Sequence, residues 1–191
     1  MELPIYYCEI IDSDDGLSAI SLVEFPAIKS DFMCFNEHTQ LKMSVQDEEQ
    51  RIVSGAIILP DQPIYRNING REFYVMFTRE TIRKAAEKFF IDKAQNNVNT
   101  DHRYTVNDVN LLELFIKDST KGICPNYVDC PDGSLIGTYK VNNDEVWASI
   151  KNGDFKGFSL EGTFSLIEKQ DSEEDTYKEL IQTLKKIKRV K

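Results

Sequence analysis

Residues 155–167 read Phe-Lys-Gly-Phe-Ser-Leu-Glu-Gly-Thr-Phe-Ser-Leu-Ile, and this alternation of apolar and polar side chains predicts a β-strand. Successive side chains of a strand point to opposite faces. Phe158, Leu160, Phe164 and Leu166 are therefore expected in the core. Ser159 is expected on the opposite face, displayed rather than buried, together with Glu161, Thr163 and Ser165.

Two glycines, Gly157 and Gly162, lie within this strand, where glycine usually marks a bulge or a close backbone approach. A substrate strand lying beside Ser159 would use such an approach. Alternatively, the glycines shape a barrel corner and Ser159 is one polar residue among several. Spacing alone favours this second interpretation, because the run is not the strand-to-helix nucleophile elbow of the hydrolases.

The rest of the chain predicts an α+β protein. Apolar residues recur at helical spacing after Thr78, at Ile82, Ala85, Ala86, Phe89 and Phe90, which indicates a capped amphipathic helix. Asn143-Asp144 begins a second, short helix with Val146, Trp147 and Ile150, which Gly153 ends. Strand patterns and turn residues predict further strands at 3–11, 19–24, 52–59, 72–78, 109–117 and 135–141.

The length of 191 residues fits one compact domain, which we place at 1–170. Within it, residues 38–50 are polar and without periodicity, which indicates a mobile loop. Residues 171–191 are acidic at their start, basic at their end and apolar at helical spacing, which predicts an amphipathic C-terminal helix. This helix is expected to dock on the domain or on a partner; a nucleic-acid-binding tail is the alternative.

The charge and the cysteines restrict the possible functions. A net charge of −9 opposes binding to phosphate backbones, so we expect no nucleic-acid partner. The chain has no apolar run long enough to span a bilayer and no signal-peptide pattern, which predicts a cytosolic protein without a membrane partner. The four scattered cysteines are expected to be reduced, and their spacing gives no metal site, so we expect neither a metal nor a cofactor.

A serine hydroxyl needs a neighbouring base before it can act as a nucleophile, and histidine suits that task near neutral pH. The chain has only two, His38 and His102. His38 lies in the polar loop, whereas His102 directly precedes the strand predicted at 109–117 and is therefore the preferred base. A structurally bonded surface histidine is the alternative interpretation of His102.

A third residue should orient the imidazole and stabilise its charged form. Glu113 lies among apolar residues on both faces of its predicted strand, which indicates partial burial, and a buried carboxylate needs a partner. His102 is one such partner, and a salt bridge to a lysine or arginine is the other. Glu161 is the rival, because it shares the face of Ser159. We select Glu113.

Several short segments, in their order along the chain, resemble the phage prohead maturation proteases, and among them the XkdF-type phage serine proteases. The resemblance covers the chain to about residue 166. It is carried by Gly16-Leu17-Ser18-Ala19-Ile20-Ser21-Leu22-Val23 with Pro26-Ala27, Ile64-Tyr65-Arg66, Phe77-Thr78-Arg79-Glu80-Thr81-Ile82, Asp101-His102, Leu112-Glu113, Glu145-Val146-Trp147 and Lys156-Gly157-Phe158-Ser159-Leu160-Glu161-Gly162.

The resemblance implies a mainly antiparallel β-barrel with flanking helices, similar to the herpesvirus assemblin proteases. It implies Ser159 as nucleophile and His102 as base. In other prohead proteases a segment like Ile20-Ser21-Leu22-Val23 follows the serine, but here it precedes the histidine, so the third residue is not fixed by the resemblance.

The function implied is a serine endopeptidase that processes the scaffold protein, the delta segment of the major capsid protein and itself, inside the assembling prohead in the bacterial cytoplasm. A non-catalytic head-assembly protein of the same fold, which binds scaffold or capsid protein, is the alternative. A weaker alternative makes Cys34 or Cys124 a cysteine nucleophile.

Overall fold

The computed structural model describes residues 3–24 and 43–168. In these ranges it has twelve strands, two α-helices and one short 3₁₀ helix. In chain order they are β1 Ile5–Glu9, β2 Gly16–Val23, β3 Ser44–Asp47, β4 Ile52–Ile58, β5 Ile64–Ile68, β6 Arg71–Phe77, α1 Arg79–Ile91, β7 Val98–Thr100, β8 Tyr104–Thr105, β9 Val109–Ile116, the 3₁₀ helix Ser119–Lys121, β10 Leu135–Val141, α2 Asp144–Asn152, β11 Gly157–Thr163 and β12 Ser165–Glu168.

The strands form three four-stranded sheets, in the orders β12-β1-β6-β5, β3-β4-β10-β9 and β11-β2-β7-β8. All neighbours are antiparallel except β1 with β6 and β2 with β7. The predicted α+β class, mainly antiparallel, is confirmed. Within the described residues the sheets do not close into a barrel, so the barrel expected from the resemblance is not confirmed.

The strand predicted at 155–167 is interrupted at Phe164 and serves two sheets. β11 pairs with β2, whereas β12 pairs with β1. The Phe164 ring at the break packs edge-on against Phe77, with the ring centroids 5.0 Å apart. One continuous segment therefore joins two sheets, and the break sets the direction in which each half runs.

Helix α1 forms where its periodicity predicts it. The Thr78 hydroxyl accepts a hydrogen bond from Thr81 N at 3.0 Å, which caps the helix. Ile82, Ala85 and Phe89 are buried, as predicted. Phe90, also assigned to the apolar stripe, is 48% exposed, because its position on the helix lies at the edge of the buried face.

Helix α2 likewise follows its sequence signals. The side chain of Asn143 accepts a hydrogen bond from Val146 N at 3.0 Å, and Gly153 ends the helix in the left-handed conformation with φ 79°. Val146, Trp147 and Ile150 are buried, as predicted. Neither helix of the described ranges is long and apolar enough to cross a membrane.

Part of the loop predicted at 38–50 is a strand. Residues 44–47 form β3, which pairs antiparallel with β4, so the mobile loop is a wrong prediction there. The pairing supplies main-chain hydrogen bonds that a polar sequence does not reveal. Residues 38–42 and the helix predicted at 171–191 lie outside the described residues.

The main hydrophobic core includes Phe158 of β11. Its ring contacts Tyr139 of β10, with centroids 4.9 Å apart, and it lies against Gly55 of β4, where a Cβ would come within 3.0 Å of the ring. Phe158 is 2% exposed, as the alternation predicts. The strand that carries Ser159 is therefore fixed to the core by the residue that precedes the serine.

The turn between β1 and β2 is fixed by the buried carboxylate of Asp15. Its Oδ2 accepts hydrogen bonds from Ile11 N at 2.9 Å, Asp12 N at 3.0 Å and Ser165 Oγ at 2.8 Å. Burial acts to raise the pKa of Asp15, but these hydrogen bonds outweigh it and hold the pKa below its ordinary value of 3.8. The ionised carboxylate thus joins this turn to β12.

Phe158→Ala is expected to lower the free energy of unfolding by about 3–5 kcal/mol, because it leaves a cavity among close-packed side chains. Urea denaturation followed by circular dichroism measures this loss. Phe90→Ala removes an exposed ring of the same size and is the matched control, with an expected loss of less than about 1 kcal/mol. Equal losses in the two variants would contradict the core position of Phe158.

Asp15→Asn is expected to lower the free energy of unfolding by about 1–3 kcal/mol at pH 7, because it removes the charge that three donors solvate. The pKa of Asp15 is lower in the folded than in the unfolded state. The extra free energy of unfolding of the wild type over Asp15→Asn is therefore fully present above the unfolded-state pKa of about 3.9 and is lost as the pH falls through the folded-state pKa. Urea denaturation at several pH values tests this, with the exposed Asp14→Asn as control. A difference that is the same at pH 7 and pH 2 would contradict it.

Candidate active site

Ser159 lies near the middle of β11, directly after the core residue Phe158. It is only 6% exposed, so the prediction of a displayed serine is wrong. Strand alternation does direct it away from Phe158, but the second face of the strand is also covered. Leu166, predicted in the core, is 44% exposed, because the break at Phe164 separates its strand from β11.

The pairing of β11 with β2 places a second serine beside Ser159. The Cα partner of Ser159 is Ser21, and that of Glu161 is Ala19. Directly opposite residues of an antiparallel pair share a face, with Cβ atoms about 4.5–5.5 Å apart. Ser159, Ser21 and Glu161 therefore lie on one face of the sheet.

The glycine that follows this group makes the bulge that the sequence suggested. The register of β11 against β2 shifts between Glu161 and Gly162. A Cβ at Gly162 would lie 2.2 Å from the carbonyl oxygen of Gly16, so only glycine allows the two backbones to come this close. The close approach is thus between two strands of the protein itself.

His102 lies in the turn between β7 and β8. Asp101 and His102 have φ values of 48° and 56°, and Arg103 N donates to Thr100 O at 3.0 Å. Two successive residues with positive φ are typical of the type I′ hairpin turn. Histidine and aspartate enter this region more readily than most residues, but it is uncommon and often accompanies function.

Two main-chain hydrogen bonds fix this turn to β2. Asp101 N donates to Leu22 O at 2.9 Å, and His102 N donates to Ser21 Oγ at 3.0 Å. Since Ser21 is the cross-strand neighbour of Ser159, the backbone of His102 is held next to the serine pair. The backbone of the residue selected as base thus lies beside the strand that neighbours Ser159, and no hydrogen bond joins Ser159 to His102 among the described residues.

The imidazole of His102 has a carboxylate partner on β11. Nδ1 of His102 lies 2.8 Å from Oε1 of Glu161. An ionised carboxylate only accepts hydrogen bonds, so Nδ1 is the donor in this contact, and the ring in its uncharged form would then present Nε2 as an acceptor. The side chains of His102 and Glu161 are 41% and 29% exposed, which leaves the pair open to solvent on one side.

Glu113, selected as the third residue, lies elsewhere. It is an exposed residue of β9, opposite Thr138 in another sheet, so its predicted partial burial is wrong. The reason is a bulge, because the register of β9 shifts between Leu111 and Glu113. The extra residue, Leu112, inverts the alternation, and Glu113 turns to solvent while Leu111 packs against the core. The rival, Glu161, is the carboxylate that contacts His102.

Sequence reasoning missed two polar residues of this site, Ser21 and Asn99. Asn99 of β7 is the register partner of Ser21 in the parallel pairing of β2 with β7, so both belong to the same cross-sheet row as Ser159. Both are buried, and Asn99 Oδ1 has no hydrogen-bond partner among the described residues. The sequence signal that could have identified Ser21 is its position as a polar residue in the otherwise apolar run Ile20-Ser21-Leu22.

The geometry has the components of nucleophilic catalysis. A serine lies in a buried row, the backbone of a histidine is held against the neighbouring strand β2, and a carboxylate contacts one nitrogen of the imidazole. Such an arrangement leaves the other ring nitrogen free to accept a hydroxyl proton. The order along the chain is histidine, serine, carboxylate, and the last two are separated by one residue on a single strand.

Comparison with known proteins gives a family and two relatives. The family described as "Putative phage serine protease XkdF" matches residues 40–168. The phage-like element PBSX protein XkdF of Bacillus subtilis (strain 168) is 25% identical over 175 residues, which are 82% of this chain and 56% of that protein. The uncharacterized protein YqbD of the same strain is 28% identical over 129 residues, which are 68% of this chain and 36% of that protein.

The chain thus spans about half or less of the length of these two relatives. No solved structure matches it. The family match covers β7 and β11 and includes His102, Ser159 and Glu161, whereas β2, which carries Ser21, lies before the matched residues. From this match over more than half of its length, the chain belongs to the family described as "Putative phage serine protease XkdF".

Proposed function

We propose that the chain is a serine endopeptidase with Ser159 as nucleophile, His102 as general base and Glu161 as the residue that orients the base. The observation that carries this proposal is the 2.8 Å contact between His102 Nδ1 and Glu161 Oε1. Because Glu161 and Ser159 share a face of one strand, the same contact holds the ring over the side of the sheet that carries the serine. Glu161 replaces Glu113 in this role.

In the acylation step, Ser159 Oγ attacks the carbonyl carbon of the scissile peptide while His102 Nε2 takes the hydroxyl proton. The carboxylate of Glu161 stabilises the imidazolium that results. The tetrahedral intermediate then expels the amine as the C–N bond breaks, and His102 returns the proton to the leaving nitrogen. The product is an ester between Ser159 and the acyl half of the substrate.

In the deacylation step, His102 takes a proton from water, and the resulting oxygen nucleophile attacks the ester carbon. The bond to Ser159 Oγ breaks, and the proton returns to the serine. Each step uses one base with a fixed tautomer, which is the role of the contact with Glu161. This mechanism draws the nucleophile, the base and the orienting carboxylate from the chain, so it requires no cofactor and no metal.

The substrates we propose are the scaffold protein, the delta segment of the major capsid protein and the chain itself, cut inside the assembling prohead in the bacterial cytoplasm. The family description supports a phage serine protease. The name of the first relative places that protein in a phage-like element. The resemblance of the sequence to the prohead proteases suggests that the task of this protease is processing during head maturation.

The burial of Ser159 favours one other function. A hydroxyl on a residue that is 6% exposed is poorly accessible to a peptide carbonyl in this conformation. A non-catalytic head-assembly protein of the same fold, which binds scaffold or capsid protein, would have no need of such access. The two functions share their partners and differ in whether a peptide bond is cut.

Ser159→Ala is expected to lower the rate of cleavage on the order of 10⁵–10⁶-fold, because it removes the atom that forms the acyl-enzyme. The purified chain is incubated with the scaffold and capsid proteins of its phage, and products are identified by mass spectrometry. Thr163→Ala removes an exposed hydroxyl from the same strand and is expected to cleave normally. Unchanged cleavage by Ser159→Ala would exclude this nucleophile, and a wild type that binds without cutting would favour the assembly function.

Glu161→Gln is expected to lower kcat by about 10²–10⁴-fold, because an amide no longer fixes the Nδ1–H tautomer of His102 or stabilises the imidazolium. Glu113→Gln is the matched control, and we expect less than a twofold change from this exposed residue of another sheet. Steady-state kinetics on one peptide substrate measures both. The opposite ranking would return the orienting role to Glu113.

A further inference from the structure

A groove of about 350 Å³ lies next to the candidate active site. One wall is formed by sheet β12-β1-β6-β5 and includes Cys8 and Phe73. The other wall is the segment in which β11 turns into β12 and includes Leu160 and Phe164. Most of the lining is apolar, which is usual for a site that binds an organic group.

Two charged side chains line this otherwise apolar groove, the guanidinium of Arg66 on β5 and the carboxylate of Glu161 on β11. Burial lowers the pKa of Arg66 from its ordinary value, although the group stays charged. One of its nitrogens donates to the carbonyl oxygen of Tyr65 at 3.0 Å. Across residues 3–24 and 43–168, no carboxylate lies within ion-pair distance of Arg66. A guanidinium has five N–H donors, so most of its capacity is unused.

No neighbouring acidic group of the described residues forms an ion pair with Arg66. Burial raises the pKa of the Cys8 thiol to about 12, so the thiol beside Arg66 is neutral. The carboxylate of Glu72 accepts from the hydroxyl of Tyr65, and that of Glu161 is held by His102. A partly desolvated cation without a counter-ion is costly, and it gains more than a solvated one from an incoming carboxylate.

The groove begins one residue beyond Ser159, although neither Ser159 nor His102 lines it. Leu160, Glu161 and Gly162 all line it, and they follow Ser159 directly. With a rise of about 3.3 Å per residue, Glu161 lies about 7 Å along the strand from the serine. Glu161 thus borders both the histidine and the groove. A polypeptide whose carbonyl reached Ser159 and which continued along β11 toward Gly162 would bring a side chain two or three residues away to the groove.

We infer that this groove is a substrate subsite that takes an acidic side chain, preferably glutamate, within about three residues of the scissile bond. The carboxylate pairs with Arg66, and the methylenes of glutamate lie against the apolar walls. This inference rests on the proposed function and adds a substrate class to it. It assigns Arg66 a role in specificity, separate from the serine, histidine and carboxylate that perform the chemistry.

The first experiment digests a peptide mixture from a denatured bacterial lysate with the full chain and identifies the new termini by mass spectrometry. Within three residues of the cut we expect glutamate to be enriched over glutamine at one position. Synthetic peptide pairs that differ only by glutamate or glutamine at that position then give kcat/KM, with an expected ratio of about ten to one hundred. Ser159→Ala, which forms no new termini, is the blank.

Arg66→Gln is expected to reduce the ratio for glutamate over glutamine to about one, and Arg66→Lys to retain part of it, because a lysine keeps the charge but loses the bidentate geometry. Arg71→Gln is the matched control, since Arg71 is an exposed arginine of the adjacent strand. We expect it to keep the wild-type ratio. A ratio near one in the wild type, or an unchanged ratio in Arg66→Gln, would overturn the subsite.

A second experiment does not depend on catalysis. The side-chain Nε–H signal of Arg66 in the ¹⁵N-labelled full chain is assigned by its disappearance in Arg66→Lys and is followed during titration with N-acetyl-glutamate amide. We expect a saturable shift with this probe and little shift with N-acetyl-glutamine amide. Equal responses would overturn the subsite even if peptides are cut. A selective shift in a protein that cuts no peptide would instead overturn the proposed function and keep the carboxylate site.

Discussion

The antiparallel pairing of β11 with β2 is the constraint on which the candidate site depends. It sets Ser159 opposite Ser21, and Ser21 in turn accepts the hydrogen bond that holds the backbone of His102. β2 also pairs with β7 on its other edge, so a single strand fixes both halves of the site. A shift of one residue in this register would move Ser159 and Glu161 to the opposite face together.

The local signals of the sequence were enough to predict most elements. Capping residues and apolar spacing located α1 and α2, because these features act within one or two helical turns. Alternation also placed Ser159 and Glu161 on a shared face and Phe158 in the core. These are properties of a single segment, and they need no knowledge of what the segment packs against.

The errors come from long-range pairing. Glu113 was selected because apolar residues lie on both faces of its predicted strand, but the bulge at Leu112 turns it to solvent, and only the register of β9 against β10 reveals that bulge. Ser159 was expected in solvent because alternation does not tell whether the second face of a strand is covered. Ser21 and Asn99 lie in one row with Ser159 only because of the pairing register of β11, β2 and β7. No single segment of the sequence encodes that register.

The turn that carries His102 is held by main-chain groups, since the N–H groups of residues 101, 102 and 103 all donate hydrogen bonds. None of these bonds involves the imidazole. The left-handed backbone at position 102 admits asparagine, aspartate or glycine with little strain, but disfavours β-branched residues. During evolution, a gene copy in which this histidine changed to asparagine would lose the proposed base but keep the main-chain hydrogen bonds of the turn. In this architecture the fold can therefore be inherited without the activity.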